Sequence, residues 1–385
     1  MNIINTYDLK PGQVFSTPVY TEGECLLVPK MVPIRQKDID FLVSWGIEEV
    51  KTEGYIIEVE EQKASTKKDA SAEKAELIFS LNDVKENSVP YRAYRNLIEQ
   101  LNYIFSGIKS GETVEMRAFD NICVQLLKDL RSNPISFVDF ILCGEVEGFE
   151  LAKSSINTAI LSALIAQELG LPKHKVHNIV AGALLHDVGM FRLSKGITEK
   201  KGGLSEAELE QVKSHTLHSS KVVSKELFGP QEVNLIALQH HERWDGKGYP
   251  DRILGPAIEI GARIVSVADA FEAMTSKRSY RNSMIGYQAI KNLMADNARR
   301  FDPAVILTFT KIMGIYPIGS VVKLNNSAIA RVVKVNTSAP MRPVVQMLMD
   351  EKGKIIDAND RTTVDLLAEK TLFIKNALDP SEYNA

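Results

Sequence analysis

The run Ala181-Gly182-Ala183-Leu184-Leu185 ends in His186-Asp187. An imidazole and a carboxylate at the end of so apolar a segment are costly to bury unless they bind something. Downstream, the apolar segment Val233–Gln239 closes on His240-His241, and Asp269 stands as a lone carboxylate in the apolar run from Ile260 to Phe271. A lone carboxylate in such a helix needs a charged partner. Any fold for this chain must therefore gather its polar groups at a few points on otherwise apolar helices.

His215 lies on a segment with helical pattern, Ser205–Phe228; His218, three residues on, faces a neighbouring direction and reads as solvated. Imidazole suits the borderline divalent metals, and a carboxylate can bridge two of them, so these residues suggest a multi-metal hydrolase site. Adjacent helical residues diverge by about 100°. His240 and His241 can thus serve one cluster if metals lie between their directions or if the helix stops there. The following Glu242-Arg243-Trp244-Asp245-Gly246-Lys247-Gly248-Tyr249-Pro250 fits a stop, its glycines permitting a tight turn. Arg278 and Arg281, three apart, read either as a phosphate clamp or as an exposed basic edge.

The formal net charge of −3 gives no basic footprint for nucleic acid. No stretch approaches the roughly 18 apolar residues of a membrane span, and the N-terminus lacks signal-peptide regions, so a cytoplasmic protein is expected. Cys25, Cys123 and Cys143 are scattered and odd in number; they read as small buried residues rather than a disulfide framework.

The pattern divides the chain into a small α/β module (1–60), a charged linker (61–88), a helical segment (89–147), a helical domain carrying the site (148–315) and a β-rich module (316–385). In the first, strands are expected at Val14–Tyr20 and Tyr55–Val59, with a helix near Gln36–Trp45. Apolar stripes from Tyr94 to Phe105 and from Phe119 to Leu130 have helical spacing; they could pack on the chain's own bundle or form a homodimer. Leu151–Leu169 should be a helix stopped by Gly170-Leu171-Pro172, and Asp302-Pro303 should open another. Two hairpins are expected, around Asn325-Asn326 and around Glu351-Lys352-Gly353.

The set His186-Asp187, His215, His240-His241, Gly248-Tyr249-Pro250 and Asp269, in this order, resembles the HD-GYP family, a subgroup of the HD metal-dependent phosphohydrolases acting on the bacterial second messenger cyclic di-GMP. The resemblance covers about residues 148–315. It implies a mainly α fold, a helical HD-type bundle with small flanking α/β and β modules, and two or three divalent transition metals, iron or manganese. Asp187 would bridge two metals, with His186 and Asp269 on one and His215, His240 and His241 on the other. A metal-activated hydroxide would attack phosphorus. Arg278 and Arg281 would grip phosphate, Gly248-Tyr249-Pro250 would shape the substrate loop, and Glu150 matches a carboxylate that serves a third metal in some members.

Two departures from the family pattern matter, and a third is milder. Ser154 stands where a His is usual, and Met190 where a Lys is usual; Glu272 replaces a commoner Asp. Serine is a poor substitute for imidazole on a transition metal, and Met190 brings no charge to a phosphate. The resemblance therefore implies a cyclic di-GMP phosphodiesterase with a reduced site. The alternative is a degenerate domain that binds cyclic di-GMP, or a protein partner through the flanking modules, as a receptor or scaffold without cleavage.

Overall fold

The computed structural model describes residues 2–21, 26–28, 30–31, 33–34, 39, 42, 49–57, 88–132, 134–143, 148–198, 200, 205–276 and 286–378. The chain forms two compact units: one of residues 1–82, 285–295 and 310–385, the other of residues 83–284 and 296–309. The architecture is mainly α, with short strands at the N-terminal end and a C-terminal sheet.

At the N-terminal end, β1 (Asn2–Asn5), β3 (Val19–Thr21), β4 (Leu26–Val28) and β5 (Glu49–Thr52) form an antiparallel sheet in the order β1-β5-β3-β4. A separate pair joins β2 (Val14–Phe15) to β6 (Ile56–Ile57). The single strand expected at Val14–Tyr20 is thus two. Pro18 has no N–H to give a ladder, and the carbonyl of Pro18 instead accepts a 3.0 Å bond from the Thr52 hydroxyl. Of the helix expected at Gln36–Trp45 only Ile39 and Leu42 are described, both helical; the rest of it and nearly all of the expected linker lie outside the described residues, as does Cys25.

In the second unit, α1 (Val89–Ser110) starts where the Ser88 side chain accepts from Tyr91 N and stops at Gly111, whose φ of 82° suits a residue without Cβ. Its stripe of Tyr91, Tyr94, Leu97, Ile98, Leu101, Phe105 and Ile108 is buried within the chain. After α2 (Met116–Ser132) and α3 (Pro134–Cys143) comes α4 (Glu150–Glu168), buried over most of its surface and so central to the bundle. The stop expected at Gly170-Leu171-Pro172 is present: Gly170 has φ 69°, and Leu171 N closes back on the Ala166 carbonyl at 3.0 Å. Next comes α5 (Lys173–Leu185).

The helix expected over Ser205–Phe228 is broken. It consists of α6 (Glu206–Lys213), α7 (His215–Lys221) and one π turn, Val222–Glu226. At the break, the Ser214 hydroxyl donates to the Gln211 carbonyl at 2.6 Å, competing with the main-chain ladder. Two further helices, α8 (Gln231–Gln239) and α9 (Ile260–Thr275), complete the walls of the site. Asp302 accepts from Ala304 N at 2.8 Å at the start of the helix Pro303–Met313, as a capping Asp should, and its other oxygen pairs with Arg263 at 2.7 Å.

The C-terminal sheet, from β7 (Val321–Leu324), β8 (Ile329–Lys334), β9 (Val344–Met349), β10 (Thr363–Asp365) and β11 (Ile374–Ala377), is antiparallel in the order β10-β9-β8-β7-β11 around Val321, Ile329 and Leu348. The expected hairpin at Asn325-Asn326 joins β7 to β8. The second expected hairpin is reduced to a single bridge, Met349 to Ile355. No described helix is long and apolar enough to cross a membrane.

Candidate metal centre

The centre is assembled from helix ends. His186 closes α5, and the chain then tightens into a 3-10 turn at Val188–Arg192, which turns Asp187 toward α7 and α8. Gly189 makes this close approach workable. A Cβ there would run into the His215 carbonyl and the Ser219 amide, and the Gly189 N–H itself donates to Ser219 Oγ at 2.8 Å.

His240 caps α8, so the helix does end between the paired histidines. Their rings sit 4.2 Å apart, centroid to centroid, and both face His215, at 5.3 and 5.1 Å. One ligand atom from each of Asp187, His215, His240 and His241 lies within 4.8 Å of the other three. The Asp187 carboxylate divides its two oxygens. Oδ1 faces His215 Nε2 at 3.2 Å and His240 Nε2 at 3.7 Å; Oδ2 faces His186 Nε2 at 3.6 Å. His186 Nε2 in turn is 3.6 Å from Oδ1 of Asp269, on α9.

The imidazoles are oriented for metal. Nδ1 of His186, His215 and His240 lies 2.7, 2.6 and 3.0 Å from the carbonyls of Ala183, Val212 and Ala237, three residues earlier in each case. A carbonyl can only accept, so each Nδ1 carries the hydrogen and each neutral ring presents its Nε2 lone pair to the cluster. His215 Nε2 and His240 Nε2 are only 3.3 Å apart, and His186 Nε2 is buried without a hydrogen-bond partner. Converging lone pairs and carboxylates need a positive charge among them, and this donor set fits divalent metal.

The electrostatics show the same demand for positive charge, met on His186 by a proton that a bound metal would displace. Burial works against charge on His186, but Asp187 and Asp269 outweigh it and hold that imidazole up at about 9. Burial would also raise Asp187, yet His186, His215 and His240 hold its carboxyl well below the usual range. Asp269, similarly opposed by burial, is held at about 2 by His186. His241 is pushed well down, by burial and then by the neighbouring His240.

Two of the departing positions, Ser154 and Glu272, meet each other. Ser154 Oγ donates to Glu272 Oε2 at 2.7 Å. The other oxygen of Glu272 accepts from Ser276 at 2.6 Å and from Asn157 at 3.4 Å, and Asn157 accepts from the Tyr94 hydroxyl at 2.7 Å. Glu272 is buried one turn beyond Asp269. Glu150 is exposed on the first turn of α4 and is not part of the four-residue cluster. Met190 is half-buried on the turn after Asp187. His174 is exposed, and His177 lies 3.6 Å from Asp120, away from the centre. Arg278 and Arg281 lie outside the described residues.

A cavity of about 710 Å³ opens beside His241. Gly248, Tyr249 and Pro250 line it, the Tyr249 ring 4.9 Å from that of His241. Gly248 is packed so closely on Glu242 and Arg243 that a Cβ would strike their backbone. Glu242 is buried and accepts from Asp251 N at 2.7 Å and Ile253 N at 3.0 Å, which shapes the loop. Sequence reasoning did not find Lys213 or Arg300 at this cavity. Neither belongs to a motif, and Arg300 reaches it through a turn more than 50 residues from His241.

An HD domain profile matches residues 142–305, and a profile for a KOW domain associated with HD domain matches residues 321–385. Cyclic di-GMP phosphodiesterase PdeB of Borreliella burgdorferi is 25% identical over 361 residues, covering 94% of this chain and 92% of that protein. Cyclic di-GMP phosphodiesterase PA4108 of Pseudomonas aeruginosa is 26% identical over 256 residues, 66% of this chain and 60% of that one. The response regulator RpfG of Xanthomonas campestris, also named a cyclic di-GMP phosphodiesterase, is 39% identical over 147 residues, 38% of this chain and 39% of that one. The chain thus spans nearly all of the first relative and less than two thirds of the other two. Residues 142–305 thus match an HD domain, and within it the His-Asp and His-His residues gather at one centre, with the Gly-Tyr-Pro turn lining the cavity beside it.

Proposed function

We propose that this protein is a metal-dependent phosphodiesterase that hydrolyses cyclic di-GMP. The observation that carries this is the divided Asp187 carboxylate, with histidines facing each oxygen, beside a cavity of ligand size. The names of the relatives supply the substrate.

In this reading His186, Asp269 and Asp187 would hold one metal, and His215, His240, His241 and Asp187 would hold the other. Iron or manganese suits such imidazole and carboxylate donors. When bound, the metals supply a lowered water pKa and neutralise phosphoryl charge. The chain's own groups do the rest. The Ala183, Val212 and Ala237 carbonyls keep three imidazoles in the ligating orientation. Tyr249 and the Gly248–Pro250 turn wall the cavity beside His241. The resemblance assigns substrate phosphate to Arg278 and Arg281. Ser154 is bonded to Glu272 and Glu150 faces solvent, which supports a centre of two metals rather than three.

The test is metal analysis and cyclic di-GMP turnover on one purified sample, with Asp187→Ala as control. Bound metal with hydrolysis, both lost in the variant, is expected. Tight nucleotide binding without turnover, even with added manganese or iron, would overturn the catalytic reading.

A further inference from the structure

The cavity beside His241 carries more positive charge than its own acids can balance. Lys213, Arg243, Lys247, Arg252 and Arg300 line it, against Glu210 and Glu242. Lys213 pairs with Glu210, and Arg243 pairs with Asp245 at 2.8 Å. The Glu242 carboxylate is taken up by backbone N–H groups of Asp251 and Ile253. Lys247, Arg252 and Arg300 are left without a carboxylate partner among the described residues.

These three differ in placement. Lys247 and Arg252 are exposed at the rim, whereas Arg300 is half-buried, its guanidinium 4.9 Å from the Phe301 ring centre. Its backbone is fixed to the loop that follows the paired histidines. Trp244 N donates to the Arg300 carbonyl at 3.0 Å, Asp245 N to the Arg299 carbonyl at 2.9 Å, and Arg300 N to the Asp296 carbonyl at 2.9 Å. An unpaired guanidinium, held by main chain in a partly buried cavity next to a phosphoryl-transfer centre, is a fork for a phosphate.

We propose that Arg300 binds the second phosphodiester of a cyclic dinucleotide, the one not being hydrolysed, and so makes the cavity prefer a substrate with two phosphates over a simple phosphodiester. This rests on the proposed phosphodiesterase activity, with the scissile phosphate at the metals. The remote phosphate supplies binding energy, and Arg300 touches no reacting atom, so its loss should appear in KM more than in kcat.

The experiment compares wild type, Arg300→Gln and Arg300→Lys, each with metal content measured. Substrates are cyclic di-GMP and bis(p-nitrophenyl) phosphate, which has a single phosphodiester; cyclic di-GMP binding is measured in parallel by calorimetry. Arg300→Gln should lower the ratio of kcat/KM for the dinucleotide to that for the simple diester by about tenfold or more, through KM. Arg300→Lys, with charge but no fork, should fall between. If wild type cleaves cyclic di-GMP and Arg300→Gln leaves that ratio unchanged, this inference fails and the phosphodiesterase stands. An equal loss of kcat on both substrates also overturns it. If wild type binds the dinucleotide without cleaving it, the catalytic reading fails; a tenfold weaker binding to Arg300→Gln then supports the phosphate contact, and unchanged binding overturns it. If wild type neither binds nor cleaves the dinucleotide, both fall.

Discussion

Ser154 and Glu272, 118 residues apart in sequence, are joined by a 2.7 Å hydrogen bond. Each departs from the family pattern, and the two departures fit each other: a shorter side chain on α4 faces a longer acid on α9. The longer acid can reach the small hydroxyl and still accept from Ser276 and Asn157. The site has been rebuilt at this corner rather than left with a gap.

Removing the acid should therefore harm the fold. Glu272→Ala leaves the Ser154 and Ser276 hydroxyls and the buried Asn157 amide without this acceptor. A buried polar group left unpaired costs about 1–3 kcal/mol. Chemical denaturation should show a loss in that range. A variant as stable as wild type would mean that the network is not structural.

The two halves of the metal centre should separate by mutation. His241→Ala removes a candidate ligand on the His215 side and leaves His186 and Asp269 untouched, so on the two-metal reading metal content should fall by about one ion per chain. Asp269→Ala should do the same from the other side, whereas Asp187→Ala should lose both. Elemental analysis of the three variants decides it: equal losses in all three would argue against a shared bridging carboxylate.

Gly189→Ala tests how the turn after Asp187 positions His215. The added methyl meets the His215 carbonyl and the Ser219 amide, so the turn and α7 must part. Overpacking of this kind costs about 1–3 kcal/mol, and displacement of His215 should reduce metal content as well. Unchanged stability and metal content would show that the approach is not tight in solution.

Asp139, on α3, should make stability depend on pH. Burial raises its carboxyl to about 6, and its Oδ1 has no hydrogen-bond partner. With the folded pKa above the unfolded one, the native state holds the extra proton, so this contribution is present below about pH 4 and is lost as pH rises through about 6. Asp139→Asn should then stabilise the protein at pH 7, by about 1–2 kcal/mol once solvent screening is allowed for, and flatten the stability profile between pH 4 and 6. An identical profile in wild type and variant would refute this.

The parts of the centre that sequence could reveal are those whose chemistry is unusual where it stands. His186-Asp187 and Asp269 interrupt apolar helices, and His240-His241 is rare as a pair, so each is visible without coordinates. The helix end at His240, needed for both histidines to face one cluster, was readable from the glycines that follow. The break at Ser214 was not, because a serine that turns its hydroxyl on its own helix has the same composition as one that does not. Glu150 was matched to a ligand position through the resemblance, and a matched position does not say which way the first turn of a helix faces. Pairing of Ser154 with Glu272, and arrival of Arg300 at the cavity, depend on contacts across α4, α9 and the turn before Pro303, which local pattern does not encode.

The Tyr94 hydroxyl bonds Asn157 at 2.7 Å, and its ring is fully buried. It sits on α1, well upstream of residue 142, where the family match begins. The boundary of the HD domain match is therefore not the boundary of cohesion. A chain trimmed to residues 142–305 would lose a wall of its own core and the far end of the polar chain that leads through Asn157 to Glu272.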